Sequence, residues 1–454
     1  MTTPIWDFVQ RYQKAETSRL HMPGHKGAVQ LGCEPWDITE IRGADALYEA
    51  DGIIAESERN ATALFGTAHT FYSTEGSSQC IRAMLSLAVS RAARRGDAPR
   101  ILAARNVHKT FIYACALLDA EVCWLYPSTP GGLCSCPITP AELKAALAEE
   151  QMRPAAVYVT SPDYLGQQQD IAGLAKVCAA YDVPLLVDNA HGAYLKFLPQ
   201  SAHPIDLGAA ACCDSGHKTL PVLTGGAYLQ IGHTCPEWVA EARSALALFG
   251  STSPSYLILQ SLDLCNRALA QDYPERLQRC ADRLVGLCEQ LQKTGCAVRQ
   301  TEPLKLVVDA AQMGYTGYEL ADLLRAGAVE CEFADADQLV LMATPYNTEL
   351  DFIRIEKALA MLKVKPARAP IAFDFAPAKC CMTLREAVFA PHEQLPVQQA
   401  VGRICGSPTV SCPPAVPIAV SGEILTLTHA ALFERYHITT VEVVAKGFTA
   451  DRTK

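Results

Sequence analysis

Between residues 155 and 188 the chain reads as strand, helix, strand, and this unit restricts the fold more than any other feature. Residues 155–160 (AAVYVT) and 183–188 (VPLLVD) are short apolar runs that end in polar residues, and residues 171–181 between them have helical spacing. Residues 208–213 form another apolar segment that leads into Asp214-Ser215-Gly216-His217-Lys218, and residues 227–231 follow as a further strand. Helical and strand-like segments alternate in this way from about 46 to 265, which predicts an α/β large domain with a mostly parallel sheet. Residues 1–45 read as an N-terminal arm with few periodic segments. Residues 266–366 carry a long helical pattern at 281–292, strand-like KLVVD (305–309) and QLVLMAT (338–344), and a helix around 318–325 between them. They are expected to form a smaller α+β domain. A Pro- and Ala-rich stretch at 365–377 resembles a linker, and residues 367–454 are expected to form a small C-terminal domain. No internal repeat is visible.

Composition narrows the function. A length of 454 residues corresponds to about three domains at roughly 150 residues each. Half of the residues are hydrophobic and 19% are charged, as in a globular chain with a substantial core. The net charge is −9 and no dense basic stripe is present, so a nucleic-acid partner is not expected. The first 26 residues contain no continuous apolar core of a secretory signal. No stretch reaches the ~18 apolar residues of a membrane span. A cytoplasmic protein without a membrane partner is expected. The 19 cysteines are odd in number and contain no Cys-x-x-Cys pair. Neither a disulfide framework nor a metal site is therefore expected, and most thiols should act as small buried hydrophobes.

Three local patterns carry chemistry. In Ser73-Thr74-Glu75-Gly76-Ser77-Ser78, the turn precedes Ile81, Met84, Leu85 and Ala88, which repeat at helical spacing. Gly76, Ser77 and Ser78 at a helix start offer backbone N–H groups, hydroxyls and the positive end of the helix dipole to a phosphate. An ordinary serine cap explains the same residues. In Asp188-Asn189-Ala190-His191-Gly192, the aspartate stands at the carboxyl end of an apolar strand, where α/β sheets place ligands. A buried carboxylate there requires a cationic partner, and a protonated pyridine nitrogen is one. A helix cap is the plainer alternative. In Ser215-Gly216-His217-Lys218-Thr219-Leu220, a lysine flanked by small and hydroxyl residues is placed to form a Schiff base, where a solvated loop lysine is the alternative. Gly24-His25-Lys26 repeats the tripeptide, but Lys26 precedes the sheet pattern. Phosphate turn, strand-end aspartate and lysine, in that order, are what pyridoxal 5'-phosphate needs. The conjunction points to a fold-type I pyridoxal-phosphate (aminotransferase-like) enzyme.

At these residues the sequence resembles the ornithine/lysine/arginine decarboxylase family, in its short bacterial form without an N-terminal wing domain. Leu20-His21-Met22-Pro23-Gly24-His25-Lys26-Gly27, Asp37-Ile38-Thr39-Glu40, Gly52-Ile53-Ile54 and Phe65-Gly66 match family segments in register. Arg105-Asn106-Val107-His108-Lys109 is similar to the segment whose histidine stacks on the cofactor ring, and Asp214 to Leu220 to the Schiff-base motif. Ser251-Thr252-Ser253-Pro254-Ser255-Tyr256 is similar to a stretch that reaches the cofactor phosphate across a dimer interface. Gly402-Arg403, Pro413-Pro414 and Gly422-Glu423 echo the family's last domain. The chain departs from the pattern at SCPPAVPIAVSGE, at Leu223-Thr224-Gly225-Gly226 and at Asp163-Tyr164-Leu165-Gly166. The last of these lies near the expected substrate position.

The resemblance implies decarboxylation of lysine, ornithine or arginine to the amine and CO2, as in polyamine metabolism. It makes Lys218, His108 and Asp188 catalytic. It makes Gly76, Ser77, Ser78, His108, Asp188, Ala190, His191, Ser215, His217, Lys218, Ser251 and Thr252 cofactor-binding, with Glu332 as the partner of the substrate's distal charge. It also implies a homodimer, or a higher assembly, with shared active sites. Two rival readings remain: another fold-type I activity such as transamination, which would use the same cofactor residues, and a catalytically idle regulatory homologue, against which the retention of Lys218, Asp188 and His108 counts.

Overall fold

Leu185–Asp188 is buried along its whole length, as a parallel strand covered on both faces has to be. The structure, a computed structural model, describes residues 1–129, 132–363, 365–369, 377–408 and 415–447. The Pro413-Pro414 pair and part of the 365–377 stretch lie outside the described residues. The chain divides into two units that interleave along the sequence.

The first unit comprises Met1–Ala98, Glu150–Ser161 and Asp170–Gln278. Its strands follow the spatial order His69–Ser73, Ala227–Ile231, Ala211–Asp214, Leu185–Asp188, Ala156–Thr160. Leu185–Asp188 is parallel to both neighbours, and both antiparallel pairings involve Ala227–Ile231. The helix Ile171–Ala180 connects two of the parallel strands, and Asp170 caps it by accepting from Gly173 N at 2.9 Å. The helix Gly76–Arg95 ends at Gly96, whose φ of 74° is the left-handed stop that glycine tolerates. The arm opens in a helix, Pro4–Lys14, that the sequence reading did not anticipate. Asp263 holds its start by accepting from Ile5 N and Trp6 N, each at 3.0 Å, and from Ser57 Oγ at 2.5 Å.

The second unit comprises Pro99–Glu149, Pro162–Gln169 and Arg279–Lys454. Arg100–Ala104 and Glu121–Leu125 form a parallel pair joined through the helix Lys109–Leu118. The strand pairings of the α/β layers are thus mostly parallel, as expected. An antiparallel sheet follows in the order Phe333–Ala334, Gln338–Met342, Lys305–Asp309, Val298–Glu302, with the helices Gly317–Ala326 and Glu349–Ala360. The strands His392–Pro396 and Thr440–Val444 pair near a core of Val397, Cys405, Ile418, Phe433 and Val443. Among the described residues no helix is long and apolar enough to cross a membrane. Most described cysteines are buried. Burial pushes thiols such as Cys136 up to about 11, so they stay protonated and pack as hydrophobes.

Candidate active site

The helix expected just after Ser78 starts at Gly76, which places Ser77 and Ser78 in its first turn. Its cap is Glu75, which makes no side-chain capping bond among the described residues. The serines are therefore not consumed as ordinary caps. Gly76 has a φ of 72°, a Cβ added there would meet open space, and its N–H donates to Gly225 O at 2.7 Å. Gly225, with a φ of 100°, belongs to the segment that departs from the family pattern. Ser215 Oγ donates to Ser77 Oγ at 2.8 Å, so two hydroxyls from distant segments meet at the dipole-positive end of a 20-residue helix. Ser251 N donates to the Glu75 carboxylate, which brings that segment to the same turn within one chain. Thr252 is exposed beside it.

Asp188 ends its strand and is only 4% exposed. Its carboxylate accepts from Ala190 N at 3.1 Å, from Tyr158 Oη at 3.3 Å and from Cys213 Sγ at 3.5 Å. The Cys213 thiol is pushed up by burial, and further by Asp188, so it remains a donor. All three donors are neutral. A buried carboxylate in this state gains from a cation brought by a ligand.

Residues 215–219, close after a strand as expected, fold into one helical turn, Gly216–Thr219. From this turn Lys218 Nζ reaches to 3.0 Å from His191 Nε2. His217 donates through both its backbone N and its Nδ1 to Gly226 O, at 3.1 and 3.0 Å. A Cβ on Gly226 would sit 2.2 Å from Val222, so a larger residue does not fit there. The first unit thus gathers Gly76, Ser77, Ser215, Asp188, Ala190, His191, His217 and Lys218 along the ends of adjoining strands.

His108 and Glu332 belong to the second unit. His108 caps the helix Lys109–Leu118, with Nδ1 accepting from Thr110 N at 3.2 Å. That bond leaves the ring proton on Nε2. The loop bearing His108 is tied to the C-terminal segment: Arg105 donates to Pro417 O at 2.9 Å and pairs with the buried Glu423 at 3.5 Å, and Lys109 N donates to Ala415 O at 2.9 Å. Glu332 is half-buried, and its Oε1 accepts from Tyr164 Oη at 2.9 Å. The departing segment 163–166 is therefore the one that holds the candidate substrate carboxylate. Gly166, with a φ of 86°, packs so closely on Thr301 that a Cβ would sit 2.4 Å from its Oγ1.

Sequence reasoning missed several residues. Tyr158 and Cys213 orient Asp188, but both read as strand core. Gln79, fully buried, accepts from Ser73 Oγ at 2.6 Å and donates to Tyr48 Oη at 2.7 Å and to Leu246 O at 2.9 Å, bracing the phosphate turn from below. Lys305, 0% exposed, pairs with Glu302 at 3.1 Å beneath the 163–166 turn. Burial pushes Asp163 up to about 6, an effect that Lys305 partly offsets. A phosphate-bearing aldehyde with a basic ring nitrogen needs anion donors, a buried carboxylate and a primary amine, and the donor set of the first unit fits all three.

The pattern of the family described as Orn/Lys/Arg decarboxylase, major domain, matches residues 3–307. An arginine decarboxylase of Bacillus subtilis (strain 168) is 28% identical over 459 residues, covering 93% of this chain and 91% of that protein. One from Bacillus anthracis is 28% identical over 458 residues, with the same coverage. Among solved structures, the constitutive lysine decarboxylase of E. coli superposes with a TM-score of 0.78 at 18% identity, covering 98% of this chain and 82% of that one. A serine palmitoyltransferase of Sphingomonas wittichii gives a TM-score of 0.55 at 14% identity, covering 79% and 82%. The fold is that of fold-type I pyridoxal-phosphate enzymes.

Proposed function

The chain belongs to the Orn/Lys/Arg decarboxylase family of pyridoxal-phosphate-dependent decarboxylases, and from that premise we propose that it decarboxylates a basic amino acid, arginine first among lysine, ornithine and arginine, with Lys218 as the cofactor lysine. The observation that carries this reading is the placing of the Lys218 amine against His191 in the same unit as the buried Asp188 and the Ser77–Ser215 hydroxyl pair. Arginine is preferred because four relatives that match more than 90% of the chain are named for it.

When bound, pyridoxal phosphate supplies an electron sink for the bond to the departing carboxylate. The protein's part is positional and protonic. Gly76, Ser77, Ser78 and Ser215 hold the phosphate with N–H and O–H groups at the helix start, and His217 braces this end. Asp188, oriented by Ala190 N and Tyr158, keeps a proton on the ring nitrogen. Lys218 would hold the cofactor through its amine, and His191, whose Nε2 lies 3.0 Å from Nζ, would take up or return that amine's proton. The proton that replaces CO2 at Cα would come from Lys218, His217 or a bound water. His108 is assigned to the ring face, and Glu332, oriented by Tyr164, to the distal positive charge of the substrate.

The working form is a homodimer in which Ser251 and Thr252, held at the phosphate turn of their own chain through Glu75, also reach the neighbouring site. The N-terminal arm supports this, because Leu20 and Leu31 are 95% and 89% exposed in the single chain. Its buried, protonated thiols suit the reducing cytoplasm.

The test is CO2 release from L-arginine, L-lysine and L-ornithine in the presence of pyridoxal phosphate, with Lys218→Ala as control. Release from one substrate, abolished by the substitution, is expected. A protein that binds the cofactor yet releases CO2 from none of the three overturns the substrate assignment.

A further inference from the structure

Asp214 ends the strand Ala211–Asp214, directly before Ser215, and has no part in the chemistry described above. Its side chain is 0% exposed. Asn189 Nδ2 donates to Oδ1 at 2.6 Å, Gln230 Nε2 donates to Oδ2 at 2.8 Å, and His203 Nε2 lies 3.0 Å from Oδ2. An enclosed carboxylate is costly unless its oxygens are filled in this way.

Each donor is itself oriented. Gln230 Oε1 accepts from Thr70 Oγ1 at 2.6 Å on the strand residue directly opposite, so its amide nitrogen has to face Asp214. Among the described residues His203 Nδ1 has no partner, which places the ring proton on Nε2, toward the carboxylate. Asn189 is wedged: a Cβ on Gly192 would fall 2.0 Å from its Oδ1, and its backbone N donates to Cys213 O at 3.0 Å. His203, Cys212 and Asp214 also have ligand atoms within 4.8 Å of one another, a spacing open to a metal ion. However, the carboxylate oxygen on that side already accepts from Gln230, and burial and Asp214 hold the Cys212 thiol protonated. The cluster is therefore a hydrogen-bond network.

Asn189 follows Asp188 in the chain and Asp214 precedes Ser215, so their 2.6 Å bond adds a side-chain tie to the backbone pairing of the two strands, at the point where that pairing ends with Asn189 N on Cys213 O. One of them presents Asp188 and His191, and the other presents Ser215 and Lys218. We propose that Asp214 is a positioning residue which, through Asn189, sets the separation of the Asp188 carboxylate from the Lys218 amine, and so the span that the cofactor has to fit. The inference rests on the reading of Asp188 and Lys218 as the cofactor residues. It adds a constraint that neither short motif contains by itself, because the tie runs between them.

The test is a double-mutant cycle on cofactor binding, without substrate. Apoprotein of the wild type, Asn189→Ala, Asp214→Asn and the double variant is titrated with pyridoxal phosphate. The visible band of the Lys218-bound cofactor is followed against concentration and then against pH, with thermal unfolding of each apoprotein in parallel. A hydrogen bond to a charged group is worth about a tenfold change in affinity or more. Each single change is expected to weaken binding by at least about tenfold and to shift the pH midpoint of the band, and the double variant to bind no worse than the poorer single one. Additive losses, or an unchanged affinity and midpoint in Asn189→Ala, overturn the proposal. Where Asp214→Asn does not fold, Asn189→Ala and the shorter-reaching Asn189→Ser decide by their band titrations. Wild-type protein that develops no such band, or Lys218→Ala that keeps it, overturns the underlying reading instead.

Discussion

Lys218 Nζ and His191 Nε2 stand 3.0 Å apart although 27 residues separate them in sequence, each delivered by the turn that follows a different strand. Their bond gives the lysine a partner able to take its proton. Removing a positioned acid–base group costs on the order of 10²–10⁴ in rate. His191→Ala should therefore lower kcat by about 10²-fold or more, with cofactor still bound through Lys218. Lys218→Ala should lose activity altogether. Steady-state CO2 release together with the absorption of the bound cofactor separates the two effects. Full activity in His191→Ala would remove the histidine from the reaction.

The tie that holds Tyr164 Oη to Glu332 at 2.9 Å predicts a graded effect on substrate binding. Loss of one hydrogen bond to a carboxylate is worth about 1.5–3 kcal/mol. Tyr164→Phe should raise KM for the preferred basic substrate by about tenfold and change kcat little. Glu332→Gln, which removes the charge itself, should raise it further, by about 10²-fold. Equal KM values for all three proteins would assign the distal charge to another residue.

Asp263, which anchors the first helix through Ile5 N and Trp6 N, is pushed up to about 6 by burial, although Ser57 and the two amides pull it down. A folded-state value above the ordinary aspartate value of 3.8 means that the folded protein binds the proton more tightly. This contribution to stability is fully present below about pH 4 and is lost as pH rises through about 6. Asp263→Asn removes the titration. The stability of the variant relative to wild type should thus improve between pH 4 and pH 7 by on the order of 2–3 kcal/mol. Urea unfolding at pH 4, 5, 6 and 7 measures the difference, and parallel curves would refute it.

Much of this architecture was legible locally. Residues 185–187 are an apolar run closed by Asp188, residues 227–231 are apolar but for Gln230, and both emerge as strands at those places. Gly76, Ser77, Asp188 and Lys218 sit in short motifs whose chemistry does not depend on distant residues. What escaped the reading is long-range and polar. Asp214, Asn189, Gln230 and His203 are dispersed over 42 residues in segments that look like ordinary strand and turn, and nothing in spacing or period shows that they share one buried network. The start of the helix at Gly76 was misplaced because Glu75 occupies the cap without a capping bond, so the serines looked like the better boundary. Lys305 opens the run KLVVD, where a lysine normally marks a solvated strand end, yet it is enclosed.

That enclosed lysine makes the sharpest stability prediction. Lys305 Nζ is 3.1 Å from Glu302 and 3.4 Å from the Asp163 carbonyl, and both ends of the ion pair are shielded from water. Breaking a buried pair leaves one uncompensated charge and costs about 3–5 kcal/mol, whereas replacing both partners by apolar residues of similar volume is often neutral. Lys305→Met should therefore be strongly destabilising, and Lys305→Met combined with Glu302→Leu should recover most of the loss. The pair also lies beneath the turn that carries Tyr164, which packs edge-on against Phe333 with ring centroids 5.3 Å apart. The double variant should regain stability but keep a raised KM, because the turn loses its polar anchor at the Asp163 carbonyl. Denaturant midpoints and KM for the two variants test both halves. Additive destabilisation in the double variant would show that the two charges do not compensate each other, and a normal KM in it would show that the turn holds its position without them.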